Sequence, residues 1–219
     1  MSTWTSRAGA LAALGAVALV SAGGCTAPGG AGSAPREVTV ARGALVVVAP
    51  PGYCIDESAT RDSEAASFVL IASCASLASG RVRGPAVAPA LVTVTVSARD
   101  PALAEPDARA LAAASGAKRV LAMRQAGALA LVHLGEGGDA ALPGGDPRHW
   151  RGATVEAGRV IGLAAYAPLG SPVAGEEGGT LLAGVAARLR AGPAPATATA
   201  PDTAPPGGGP FAAIRDLFT

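Results

Sequence analysis

Residues Ala90–Ser97 read ALVTVTVS, and this stretch decides the fold class. Val92, Val94 and Val96 fall on one side of an extended chain, with Thr93 and Thr95 on the other. Successive side chains of a strand point to opposite faces, so the alternation predicts a strand with one face buried. That strand needs a sheet around it, and apolar runs on both sides supply the partners.

Upstream lie EVTV (37–40), ALVVVAP (44–50) and SFVLIASC (67–74), the last after a polar stretch, 56–64, read here as a loop. Downstream, Asp100-Pro101 offers a helix cap with a first-turn proline, Pro106 interrupts, and Asp107 restarts an Ala-rich helix that ends at Gly116. KRVLAMRQ and ALALVHLG then meet at Ala126-Gly127 as a hairpin. After a glycine loop (135–147), the segment 148–168 predicts a second hairpin turning at Gly158. Thr180–Arg190 closes the pattern as an amphipathic helix, with Leu181, Leu182, Val185 and Leu189 on one side and Gly192-Pro193 as its stop. Early strands, a helix, a meander and a final helix predict an α+β fold, an antiparallel sheet with helices packed on it.

The 219 residues are organised around that domain, which is expected over residues 38–191. Residues 1–24 place one positive charge (Arg7) before an apolar run from about Ala8 to Ala22 and then small residues, the order of an export signal. Residues 25–37 form a Gly/Pro/Ser tether, and 192–210 a Pro/Gly/Ala-rich linker whose composition predicts disorder. The chain ends in FAAIRDLFT (211–219), where Phe211, Ile214, Leu217 and Phe218 recur at helical spacing. Two of the three phenylalanines fall there, so the segment is a candidate partner-binding anchor on a flexible arm.

A net charge of +1 with 15% charged residues lacks the clustered basic surface that nucleic-acid binding requires. Lys118 is the sole lysine, Gln125 the sole glutamine, and asparagine is absent. Such a bias points to a GC-rich genome and discounts the alanine and glycine content as structural information.

Three cysteines are present, Cys25, Cys54 and Cys74. Ala22-Gly23-Gly24-Cys25 resembles a bacterial lipobox, with alanine where leucine is usual. The resemblance implies that Cys25 is acylated and anchors the chain to a membrane. Thr26, in place of the aspartate of the inner-membrane retention signal, points to the outer membrane. The remaining pair is then expected to bridge in an oxidising compartment. In a plain antiparallel hairpin the two are expected to lie beyond the ~7 Å Cα limit for a disulfide, so the bridge is expected to need a crossover or fold-back of the intervening segment. Neither His133 nor His149 stands at ligand spacing from a cysteine, and no metal or cofactor is expected.

The order of elements is similar to that of the PsbP-like fold family. The matching residues are Pro51-Gly52-Tyr53, the Val92–Val96 strand, the Trp150–Tyr166 hairpin and the Leu181–Leu189 helix. The resemblance spans most of 38–190 and implies a protein that binds partners or assists complexes. It carries no functional residue onto this chain.

Chemistry-bearing residues are sparse. Ser171 lacks the glycine spacing of a hydrolase elbow, and Gly135–Asp139 lacks the lysine of a phosphate loop. His133 is expected as a hydrogen-bonded strand histidine. Asp56, Glu57, Asp62 and Glu64 alternate with Arg61 as a charge-balanced loop. His149, Trp150 and Arg151, together at the start of a strand, form the candidate ligand pocket. Two functions follow: a lipid-anchored periplasmic accessory protein that binds an envelope partner without catalysis, or a small ligand-binding domain or enzyme built on the His149-Trp150 region.

Overall fold

The computed structural model describes residues 34–63, 65–77 and 84–193. The elements are, in order, β1 (Glu37–Val40), β2 (Leu45–Val48), β3 (Tyr53–Asp62), β4 (Ala66–Ser73), α1 (Cys74–Leu77), β5 (Leu91–Ser97), α2 (Ala108–Ala114), β6 (Val120–Ala126), β7 (Leu129–Leu134), α3 (Gly138–Ala141), β8 (His149–Glu156), β9 (Arg159–Tyr166), a 3₁₀ turn at Pro172–Ala174, α4 (Glu176–Ala186) and β10 (Arg190–Ala191). The fold is α+β, as expected. Seven strands form an antiparallel sheet in the order β3-β4-β5-β9-β8-β7-β6, and a smaller sheet has the order β1-β2-β10.

Strand β5 lies inside the large sheet, between β4 and β9. Val92, Val94 and Val96 are fully buried while Thr93 and Thr95 are half-buried, so the alternation reads out directly as two faces. Its neighbour β9 lies far downstream, with Leu91 opposite Tyr166 and Val94 opposite Leu163. On the valine side the sheet packs against β1, β2, the 3₁₀ turn and α4. Ile55, Val69, Ile71, Trp150 and Leu163 meet Leu45, Val47, Val173, Leu182 and Val185 there. On the other side α2 places Ala108 and Leu111 against Ala130, Val132, Leu134, Ala153 and Val160. Strand β7 is buried on both faces for this reason.

Both hairpin turns form as read. Gly127 (φ 59°) is the one positive-φ residue of the β6–β7 turn, whereas Ala157 (φ 51°) and Gly158 (φ 69°) form a positive pair in the β8–β9 turn. Both patterns occur in tight hairpin turns that suit strand twist. Asp107 caps α2, its Oδ1 accepting the N–H groups of Arg109 and Ala110 at 2.9 Å each.

Several expectations are corrected. No helix starts at Asp100-Pro101. Asp100 instead accepts Ala102 N–H in a local turn (2.9 Å), which satisfies the same side chain without helix. The polar stretch 56–62 is strand, because β3 is an edge whose outer side faces water and so needs no apolar partners. Its register shifts between Asp56 and Arg61. The final helix begins at Glu176, four residues before the expected start, and ends at Ala186. Gly178 and Gly179 lie in its first turn, where a Cβ on either would crowd the Trp150 ring. Arg190 leaves that helix altogether and pairs with Val46 in β10.

The disulfide forms between Cys54 and Cys74, with Cα atoms 4.9 Å apart. The expected crossover is absent. Cys54 stands opposite Ala72 near the open end of the β3–β4 hairpin, and Cys74 follows two residues later. An antiparallel hairpin brings the start of its first strand beside the end of its second.

Candidate functional site

Strand alternation separates the residues of the expected ligand pocket. Trp150 points to the α4 side and is fully buried. His149 and Arg151 point to the opposite side, opposite Leu134 and Val132. The three therefore line no common pocket, and the pocket reading is corrected.

Trp150 is the centre of a stacked column. His133, its cross-strand neighbour, lies parallel to the indole (centroids 4.6 Å, planes 3° apart), and its Nε2–H donates to Ala174 O (2.9 Å). The indole N–H donates to Gly175 O (2.6 Å). The Arg124 guanidinium sits 5.0 Å from the ring centroid and pairs with Glu176 at the start of α4. A Cβ on Gly178 would lie 2.6 Å from the indole, so only glycine lets the helix approach this closely. His133 is thus a hydrogen-bonded core histidine, as expected, and the column fastens α4 to β8 and β6.

His149, on the other face, is 2% exposed and stacks on Tyr166 (5.2 Å). Its Nδ1–H donates to Pro147 O (3.4 Å), while Nε2 has no hydrogen-bond partner. Burial, with the nearby Arg151 charge, pushes its pKa down to about 4, so the ring is neutral at ordinary pH. Burial pulls the Arg151 pKa down, and the neighbouring Tyr166 acts in the opposite direction. Beside them, the Asp146 carboxylate accepts from Arg148 Nε (2.9 Å) and Nη2 (2.8 Å) and from the N–H groups of Arg148 and Gly170 (3.0 Å each). Sequence reasoning missed Asp146. These bonds, led by the Arg148 side chain, hold its pKa far below the usual carboxylate range. The group staples two loops together.

Two acids of β3, Asp56 and Asp62, are also occupied, while Glu57 is exposed. Asp56 accepts from Ser58 and Ala59 at the register shift, and the Ser58 hydroxyl holds its pKa down. Burial pushes the Asp62 carboxyl up, but hydrogen bonds from Ser67, Ala41 and Arg42 outweigh that and hold it low. Through them β3 grips the left-handed β1–β2 turn. Glu64 lies outside the described residues, as do Cys25 and the candidate anchor Phe211, Ile214, Leu217 and Phe218. Among the described residues no group of three His, Cys, Asp or Glu could hold a metal ion, and no helix is long and apolar enough to cross a membrane.

What remains is an edge. Among the described residues the exposed large hydrophobics are Val120, Leu121, Met123 and Leu169, and three of the four belong to β6. An open cleft lies on each side of that strand. One, about 610 Å³, runs between β6 and the start of α2 and is lined by Asp107, Arg109, Met123, Arg124 and Gln125. The other, about 500 Å³, runs between β6 and α4 and is lined by Arg124, Gln125, Leu131, Thr180 and Ala183. No acidic residue occurs between Lys118 and Gly135, so this hairpin is basic.

The chain matches no protein-family model and no curated protein. Among solved structures it is similar to the Saccharomyces cerevisiae Ran-binding protein Mog1p, at 12% identity and TM-score 0.43, over 73% of this chain and 96% of that one. A Mog1 mutant matches at 13% identity and TM-score 0.42, over 70% and 94%. Likeness at that distance carries no functional assignment.

The opposite edge of the sheet shows what a blunted edge looks like. Strand β3 has polar outer residues, a register shift, and Ile55 N–H already donated to Pro35 O (2.7 Å). Strand β6 has its own register shift between Val120 and Ala122, yet it keeps its apolar side chains exposed.

Proposed function

We propose that this chain is an exported, lipid-anchored accessory protein of the bacterial envelope that binds a protein partner on the periplasmic side and performs no chemistry itself. The observation that carries the reading is the Cys54–Cys74 disulfide. Structural disulfides persist in oxidising compartments and are rare where thiols are kept reduced. The bridge consumes both cysteines of the domain and leaves Cys25, at the end of an apolar, signal-like stretch, as the unpaired one. An acylated Cys25 accounts for the odd count.

The enclosure of Trp150 and the placement of His149 on the other face favour this reading over a ligand pocket built on the two. The finer description of the fold as PsbP-like rests on the Pro51-Gly52-Tyr53 turn, where Gly52 has φ 86° and packs on Val87, and on the meander with its closing helix.

Intact mass of the processed protein from a bacterial host tests the reading. A diacylated N-terminus at Cys25, with Cys25→Ser moving the protein from membranes to the soluble fraction, is the expected result. An unmodified N-terminus overturns the anchor.

A further inference from the structure

We propose that the outer edge of β6 is a strand-addition site for an extended partner segment that carries acidic side chains. The inference rests on the binding role proposed above and is independent of the anchor. A chain that is acylated yet does not take the probe below loses only this inference. A chain that takes the probe with an unmodified Cys25 loses only the anchor.

Register sets which backbone groups of β6 face outward. Ala126 and Leu129 close the two-residue β6–β7 turn, and the pairs Gln125–Ala130, Arg124–Leu131 and Met123–Val132 follow. In an antiparallel ladder, pairs that exchange hydrogen bonds alternate with pairs that do not. The closing pair bonds inward, so Gln125 and Met123 fall in the wide pairs. Their N–H and C=O groups point away from β7, toward the free edge. An added strand would take both.

The two clefts would receive the side chains of an added strand. Successive residues of an added strand point to opposite faces of the sheet. One set would enter the cleft beside α2, against Arg109 and Met123, and the other the cleft beside α4, against Arg124 and Leu131. Strand addition draws affinity from the backbone and specificity from pockets for alternate side chains, and β6 offers both.

Charge selects the occupant. Lys118, Arg119 and Arg124 flank the edge without an intervening acid. Arg109 is exposed in the α2-side cleft, where Asp107 is committed to capping α2. Arg124 lies over the Trp150 ring and pairs with Glu176, itself 73% exposed. A partner carboxylate can replace Glu176 at Arg124 while another meets Arg109. A second copy adding its own β6 would bring three more cations to the same edge, and the terminal segment of this chain offers one acid beside one arginine, Asp216 and Arg215.

The test is fluorescence anisotropy of the detergent-solubilised full-length chain. The probe is a labelled nine-residue peptide of alternating valine and glutamate flanked by threonine. Saturable binding is expected, weaker by at least about tenfold when lysine replaces glutamate or when alternate peptide amides are N-methylated. Met123→Pro removes an outward N–H without touching the β7 ladder and should cost at least about tenfold. Arg109→Glu should cost about three- to tenfold, less at high salt. If Met123→Pro fails to fold, Arg109→Glu and the N-methylated peptide still decide. Equal binding of the lysine or N-methylated peptides overturns the proposal, as does no saturable binding of the acidic one. Deletion of residues 211–219 that tightens peptide binding tenfold would show the chain's own tail on the edge, and a dimer abolished by Met123→Pro would show a second copy there. Either result also overturns it.

Discussion

Gly178→Ala and Gly184→Ala make the same chemical change in the same helix and should move stability in opposite directions. Helix propensity favours alanine over glycine by about 1 kcal/mol at both positions. Packing separates them. A Cβ at Gly184 would meet nothing closer than Arg188 Nη1 at 3.6 Å and Pro50 Cγ at 3.9 Å, so the gain is kept. A Cβ at Gly178 would lie 2.2 Å from Val173 O and 2.6 Å from Trp150 Cδ1. Neither neighbour is a loose side-chain end. The carbonyl belongs to the 3₁₀ turn, and the indole is held by Gly175 O and the His133 stack. Forcing a methyl into such a site costs about 1–3 kcal/mol beyond what propensity returns. Gly184→Ala should therefore gain up to about 1 kcal/mol and Gly178→Ala lose about 2. At about 2–4 °C per kcal/mol for a domain of this size, the two melting temperatures should differ by about 6–12 °C. Urea denaturation followed by tryptophan fluorescence gives the free energies, and calorimetry the midpoints. A Gly178→Ala protein as stable as the parent would refute the account of α4 as a helix seated on the indole through its glycines.

Three further predictions follow from the same structure. Replacing both Cys54 and Cys74 by alanine reopens a loop of 20-residue separation and should cost about 3 kcal/mol in the chain-entropy description, measured by denaturant unfolding. Two freely alkylated thiols in folded, oxidised protein would count against the bridge. His149 has its folded-state pKa below the free value, so the unfolded chain binds the proton first as pH falls. Its contribution is fully present above about pH 6.5 and is lost toward about pH 4, a drop of up to about 3 kcal/mol that His149→Leu should abolish. A variant with the parent's pH dependence in that window would exclude His149 as its source. Asp146→Asn should lower stability at neutral pH by about 2–3 kcal/mol, since a buried carboxylate with four donors is replaced by a group that cannot accept from all of them. Because the Asp146 pKa is depressed, its contribution is present above the ordinary carboxylate range and fades only in strong acid. A fall below 0.5 kcal/mol at neutral pH (roughly the scatter of a neutral surface change) would show that the staple does not hold the loops.

Read locally, the sequence determined the pieces. The Val92–Val96 alternation, the tight turns at Gly127 and Gly158, and the Asp107 cap all depend on residues within a few positions of one another. Backbone propensity and side-chain alternation act at that range, so they were legible. What the tertiary structure decided depends on partners far away in the chain. Polar residues 56–62 became strand because that segment is an edge, and Gly178-Gly179 continued a helix because Trp150, nearly 30 positions earlier, fills the space. His149 and Trp150 are adjacent in sequence yet serve opposite faces, a consequence of strand alternation that became decisive only when helix α4 covered one of them. The β6 edge was likewise invisible as a site. Its residues look like those of any amphipathic strand, and only the order of the sheet, which places β5 beside β9 and leaves β6 without an outer neighbour, exposes them.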